Sequence, residues 1–157
     1  MAIESERKFL VASEDWRHLV THSVAIRQFY IVAGSDRSLR MRVKNGEEAK
    51  LTLKLGAAER NREEFAYSST LSEAETMARF ALGDVIEKTR NIVPHDMLRF
   101  EVDEFAGPLS GLILAELETT EEVPDAYLPP WLGREVTGDA RFYNANLALN
   151  GMPDITS

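Results

Sequence analysis

The sequence predicts an α+β fold: an eight-stranded antiparallel β-barrel, open through the middle as a tunnel, with helices packed outside. Three observations carry this expectation. Short segments alternate charged and apolar residues with a period of two, the spacing that sends successive side chains to opposite faces of a strand. Asn45-Gly46 joins two such segments with a strong hairpin signal. A stretch from Leu71 repeats apolar residues at helical spacing and so needs an apolar surface to cover.

Taken in order, Met1 to Leu10 reads as a first strand, with Glu4, Glu6 and Lys8 on one face and Ile3 and Phe9 on the other. Ser13-Glu14-Asp15-Trp16 fits a capped helix start leading through Leu19. Ala25 to Val32 is rich in β-formers, and Gly34-Ser35-Asp36 closes it. In Ser38 to Lys44, Leu39, Met41 and Val43 oppose Arg40, Arg42 and Lys44. Lys50 to Leu55 returns with Leu51, Leu53 and Leu55 against Lys50, Thr52 and Lys54. Arg62 to Tyr67 makes a fifth strand, with Glu64 on its polar face.

Ser72-Glu73-Ala74-Glu75 fits a capping box. Leu71, Ala74, Ala78, Ala81 and Leu82 then trace a helical stripe that Gly83 can stop. Asp84 to Val93 carries Lys88 and Arg90, with Pro94 at its end. Leu98 to Phe105 sets Glu101 and Asp103 against Val102, and Gly111 to Thr119 sets Glu116 and Glu118 against Ala115 and Leu117. Pro124, Pro129 and Pro130 make the following stretch irregular, and Asp139 can cap a last helix through Leu149, ended by Asn150-Gly151.

Bulk properties narrow the function classes. A length of 157 residues favours one domain, 1–157, and 44% hydrophobic residues fit a folded globule. The chain has no cysteine, which removes disulfides, thiolate nucleophiles and sulfur-bound zinc. No charged-then-apolar leader opens it and no apolar run is long enough for a membrane helix, so a cytoplasmic protein without membrane contact is expected. The net charge of −8 makes nucleic acid a poor partner. His18, His22 and His95 share no ligand spacing, and no glycine-rich phosphate loop is present.

A sheet with its polar face in bulk water would show the same alternation. Two features favour an inward polar face instead. Eight strands suffice to close a barrel and remove its edges. Amphipathic helices packed outside need the apolar strand faces beneath them, which turns the charged faces inward. Breaking one buried ion pair costs about 3–5 kcal/mol against a domain's net stability of about 5–15 kcal/mol. Such an interior must therefore be hydrated, mutually paired and completed by ligand. Carboxylates beside ammonium and guanidinium groups suit a complex of a hard divalent cation with a polyphosphate.

The motifs Ile3-Glu4-Ser5-Glu6-Arg7-Lys8-Phe9-Leu10, Leu39-Arg40-Met41-Arg42, Thr52-Leu53-Lys54, Arg62-Glu63-Glu64-Phe65, Lys88-Thr89-Arg90, Phe100-Glu101-Val102-Asp103 and Leu114-Ala115-Glu116-Leu117-Glu118 run in this order along the chain. Together they resemble the CYTH superfamily, the triphosphate tunnel metalloenzymes. Trp131 to Asp139 and Tyr143-Asn144 are similar to the tail of its short bacterial members. The resemblance implies a tunnel that binds a triphosphate along its axis with Mg2+ or Mn2+. It implies Glu4, Glu6, Glu116 and Glu118 as metal ligands, with Glu64, Glu101 and Asp103 as further candidates. It also implies Lys8, Arg40, Arg42, Lys54, Lys88 and Arg90 as the phosphate grip; Lys44 and Lys50, near the hairpin end, are expected to face solvent. A second metal ion, or a carboxylate such as Glu64 or Glu118, would position the attacking water, and arginines and lysines, Lys54 among them, would disperse charge on the leaving group. Relatives often carry a second acid where this chain has Ala66, which bears on metal affinity.

The expected reaction is metal-dependent hydrolysis of the terminal phosphate of a triphosphate, inorganic tripolyphosphate first. The alternatives are cyclisation of ATP to cyclic AMP, as in class IV adenylyl cyclases, and a non-catalytic polyphosphate or nucleotide-binding module. The expected partner is a small triphosphate, and a homodimer is compatible with the chain.

Overall fold

Alternation sets the sheet, and the segments that cover its outer face set the curl. A computed structural model of the chain describes residues 5–56 and 62–156. The strands are β1 (Ser5–Val11), β2 (His22–Ala33), β3 (Arg37–Lys44), β4 (Glu48–Leu55), β5 (Glu63–Ser69), β6 (Leu82–His95), β7 (Leu98–Phe105), β8 (Ile113–Thr119) and β9 (Leu132–Glu135). Helix α1 (Leu71–Ala78) lies between β5 and β6, and α2 (Asn144–Asn150) follows β9. All pairings are antiparallel, in the order β5-β4-β3-β2-β6-β7-β8-β1-β9.

The eight expected strands are present, and a ninth takes the place of the irregular chain expected after Pro130. Among the described residues, β5 and β9 are the two ends of the sheet and do not pair, so hydrogen bonds do not close the barrel. The reason is local. β9 lies along the free edge of β1, with Val136 N–H donating to Lys8 O and Ala12 N–H to Trp131 O, both at 2.8 Å. The edge that would meet β5 is already occupied. Gly133 permits this approach, since a Cβ there would lie 3.2 Å from Leu10 O.

Two apolar clusters lie on the outer face. Phe29, Met41, Val43 and Ala49 pack against Ala74 of α1. Phe9, Phe100, Val102, Ala115 and Leu117 pack beneath Trp16 and Trp131, the latter edge-on to Phe100 at 5.4 Å. These residues alternate with the charged positions of the same strands, so the charges occupy the opposite, concave face. A third cluster sits on that concave face. Tyr30, Ile86, Phe105 and Leu114 meet Phe142, Leu147 and Ala148, which plugs one end of the bore. Thus α1 covers the outside as expected, while α2 docks on the plug.

Several local readings shift. The helix expected around Trp16 is a single 3-10 turn, Arg17–Leu19. The capping box of α1 begins at Thr70, whose hydroxyl accepts from Glu73 N–H, so Leu71 is already helical. Gly83 does not stop that helix, which ends at Ala78; it lies in β6 with φ +64°. A Cβ at Gly83 would sit 2.1 Å from Ala148 O, so glycine allows α2 to press onto the sheet. The β6 strand continues through Pro94 to His95, and Asp139 caps a 3-10 turn, Ala140–Phe142, that precedes α2. No helix of the described residues is long and apolar enough to cross a membrane.

Candidate active site

Charged residues from seven strands share the concave face. Glu6 and Lys8 come from β1, Arg40 and Arg42 from β3, Lys54 from β4, Glu64 from β5, Lys88 and Arg90 from β6, Glu101 and Asp103 from β7, and Glu116 and Glu118 from β8. Glu4 lies outside the described residues. The curl brings distant strands together. Glu6 and Lys54 interact electrostatically although five strands of the sheet order separate β1 from β4, and Arg42 likewise interacts with Asp103 across the bore.

The cations divide into two groups. Those on β1 and β6 already have acidic partners. Lys88, fully buried, holds Asp103 Oδ2 at 2.8 Å and donates to Asn144 Oδ1 at 3.2 Å. Arg90 clamps the two oxygens of Asp103 at 2.8 and 2.9 Å and meets Glu101 Oε2 at 3.1 Å. Burial works to raise the Asp103 carboxyl, but Lys88 and Arg90 outweigh it and hold it below the usual range. Lys8 reaches Glu116 Oε1 at 3.4 Å, donates to Phe142 O at 3.1 Å, and lies over the Tyr143 ring.

The cations of β3 and β4 differ. Among the described residues, no carboxylate lies within ion-pair distance of Arg40, Arg42 or Lys54. Burial lowers Arg42 to about 10, and the like charges of Arg40 and Arg90 push the same way. Lys54 is lowered by burial and then by Arg40, against the pull of Glu64, which faces it directly across the β4–β5 ladder. Arg40 Nε is buried without a hydrogen-bond partner, and so is Gln28 Nε2. A buried donor left unpaired costs about 1–3 kcal/mol. This wall of repelling cations and unsatisfied donors would suit an anion that brings oxygen acceptors.

The acids supply the other requirement. Glu6 faces Glu118 directly across the β1–β8 ladder, and Glu116 lies one position further along on the same face. Burial raises the Glu6 carboxyl, and the charge of Glu116 adds to it, against the opposing pull of Lys8, Lys54 and Arg90. Oxygen-only donors under mutual repulsion fit a hard divalent cation. Among the described residues no three acidic or histidine side chains converge on one point. A divalent cation would be held here by Glu6, Glu116 and Glu118, and would supply positive charge beside the cations of the opposite wall.

Gln28 is the residue that the motif reading missed. It is fully buried on β2 between Ile26 and Tyr30, and its Oε1 accepts from Arg42 Nε at 2.9 Å. Its position, an amide between Ile26 and Tyr30 on one face of β2, was the available signal. Thr52 and Tyr30 are buried on the same wall, and burial raises the Tyr30 phenol against the pull of Arg40 and Arg42. Replacing Gln28 with leucine frees the Arg42 side chain. We expect KM for a triphosphate to rise by roughly tenfold, about one hydrogen bond to a charged group, with a smaller change in kcat. Steady-state kinetics of Gln28→Leu beside wild type check this.

The chain is similar over nearly its whole length to several known proteins. A family model described as the CYTH domain matches residues 2–143. An inorganic triphosphatase of Acetivibrio thermocellus is 38% identical over 151 residues, covering 96% of this chain and 96% of its own length. One from Nitrosomonas europaea is 39% identical over 152 residues, covering 94% of this chain and 97% of its own. A crystal structure of an inorganic triphosphatase superposes with a TM-score of 0.73 at 34% identity, covering 98% of this chain and 99% of that one.

Proposed function

This chain belongs to the CYTH domain family, and on that footing we propose that it hydrolyses the terminal phosphate of inorganic tripolyphosphate with Mg2+ or Mn2+. The observation that carries the reading is the wall of Arg40, Arg42 and Lys54, cations without carboxylate partners among the described residues, facing the acids of β1 and β8. The names of the two relatives, both inorganic triphosphatases, support the same substrate.

In this reading Arg40, Arg42 and Lys54 bind phosphate oxygens, and Arg40 Nε gains the acceptor it lacks. Glu6, Glu116 and Glu118 would hold the divalent ion, with Glu4 a further candidate. When bound, the ion supplies charge neutralisation on phosphate oxygens. Glu64 or Glu118 accepts a proton from the attacking water as its oxygen bonds to the terminal phosphorus. The bridging P–O bond breaks, and pyrophosphate leaves with its new charge spread over Lys54 and the arginines. Lys8, Lys88 and Arg90 hold the acids in place, and Asp103, saturated by Lys88 and Arg90, orients those bases rather than binding metal.

The plug of Tyr30, Ile86, Leu114 and Leu147 closes one end of the bore. Phosphate and cyclic AMP are to be measured with tripolyphosphate, pyrophosphate, ATP and thiamine triphosphate in turn, each with Mg2+ or Mn2+. Phosphate release fastest from tripolyphosphate is expected. Cyclic AMP as the main product from ATP, or tight binding without turnover of any substrate, would overturn the proposal.

A further inference from the structure

An ammonium carries three N–H donors and no acceptor, so a buried lysine needs oxygens or an aromatic face around it. Lys88 is the most deeply buried base of the concave face, and its side chain has no solvent exposure. Asp103 Oδ2 takes one donor at 2.8 Å, and Asn144 Oδ1 takes a second at 3.2 Å. The Phe105 ring lies 5.3 Å from the same nitrogen. Arg90 and Arg42 repel this ammonium. Among the described residues, Asn144 supplies the one uncharged oxygen within hydrogen-bond distance of it.

Asn144 opens α2, 56 residues beyond Lys88 in the chain. Its reach depends on the docking of that helix, which Gly83 permits and which Leu147 and Ala148 anchor in the plug. The two residues before it serve the other inner lysine, since Lys8 donates to Phe142 O and lies over the Tyr143 ring. Three consecutive tail residues thus hold one lysine from β1 and one from β6. The consequence at β6 runs further. Asp103 Oδ2 is shared, with Lys88 at 2.8 Å and Arg90 at 2.9 Å. A shift of Lys88 therefore moves the carboxylate, and with it the guanidinium that pairs with Glu101 and attracts Glu6 and Glu116.

We propose that Asn144 is a positioning residue of the active site: its amide oxygen fixes Lys88 against Asp103, and through that pair sets the aim of Arg90 into the bore. The inference rests on the triphosphatase reading and adds to it a residue from the tail. Arg40, Arg42 and Lys54, which bind the phosphates in that reading, lie outside this relay. Loss of the Asn144 oxygen therefore slows turnover and leaves affinity in place.

The test uses Asn144→Leu, which keeps the size of the side chain and removes the oxygen. Tripolyphosphate turnover with Mg2+, and tripolyphosphate binding without metal by calorimetry, are measured below the melting temperature of every variant. Asn144→Leu should lose roughly tenfold in kcat, the scale of one hydrogen bond to a charged group, with KM and metal-free affinity within about twofold of wild type. Asn144→Asp keeps an oxygen at this position and should recover most of the loss. Asn146→Leu removes a different hydrogen bond of the same helix, from Asn146 Nδ2 to Ala140 O at 2.6 Å, which involves neither lysine. Its kcat should stay within about twofold of wild type. An unchanged kcat in Asn144→Leu would overturn the positioning role, as would a loss of affinity equal to the loss of kcat. An equal fall in Asn146→Leu, or no recovery in Asn144→Asp, would overturn it too, because the effect would then be one of helix docking. Should Asn144→Leu fail to fold, Asn144→Ala carries the same expectations. Absence of tripolyphosphate binding and turnover in wild type would instead sink the triphosphatase reading itself.

Discussion

Lys54→Ala should lower turnover of tripolyphosphate by roughly 10²- to 10³-fold, the scale seen when one preorganised donor to a developing charge is removed. Lys54 belongs to the group that carries no carboxylate partner among the described residues, so its charge is free to act on a substrate. Burial and Arg40 already disfavour its ammonium in the bare protein. Removing it therefore relieves repulsion, and the melting temperature should stay level or rise slightly. Kinetics and thermal melts of the same preparation check both halves. Turnover within threefold of wild type would remove Lys54 from the chemistry, and a fall in melting temperature would make it a structural strut.

The opposite pattern is expected at Asp103. This carboxylate is almost fully buried and holds both Lys88, at 2.8 Å, and Arg90. Asp103→Asn strips the countercharge from two buried bases, and removing one partner of a buried pair costs about 3–5 kcal/mol. For a chain of this length that is a fall in melting temperature of roughly 10 °C or more. The pH dependence follows from the lowered pKa of Asp103. A carboxyl held below its unfolded value contributes stability that is complete above the ordinary carboxylate range and is lost as pH falls through the folded value. The gap between wild type and Asp103→Asn should be full at pH 7 and close in acid. Denaturant melts at neutral and acidic pH measure it, and a gap that persists in acid would show that the aspartate acts through shape alone.

These two variants separate what a strand pattern can encode from what it cannot. Parity along the chain marks which side chains share a face, and it placed Glu6, Arg40, Lys54, Lys88 and Glu116 together correctly. Parity carries no distances. Lys54 and Lys88 look alike as letters, yet among the described residues one has no carboxylate within ion-pair distance and the other is enclosed between Asp103 and Asn144. The ninth strand was illegible because Leu132 to Glu135 is short, does not alternate and contains a glycine. Its pairing depends on Gly133 lying close to Leu10 O. Gly83 was misread for a related reason. Next to a helical stripe it resembles a stop signal, and only the arrival of α2 from 65 residues downstream explains it. Gln28 escaped because a single amide among the residues of β2 carries no motif, although it is buried and bonded to Arg42.

The position of β1 bears on how the protein is made. Arg7 on this strand reaches Glu135, 128 residues further along, and its ladders run only to β8 and β9. β1 thus finds its neighbours only after β8 has been made, whereas β2, β3 and β4 join by adjacent hairpins of low loop-closure cost. During synthesis the basic half of the bore can assemble while Glu6 still dangles and Glu116 and Glu118 are unborn. The acids of β1 and β8 thus come to face the cations of β3 and β4 only after the tail has latched β1 into place.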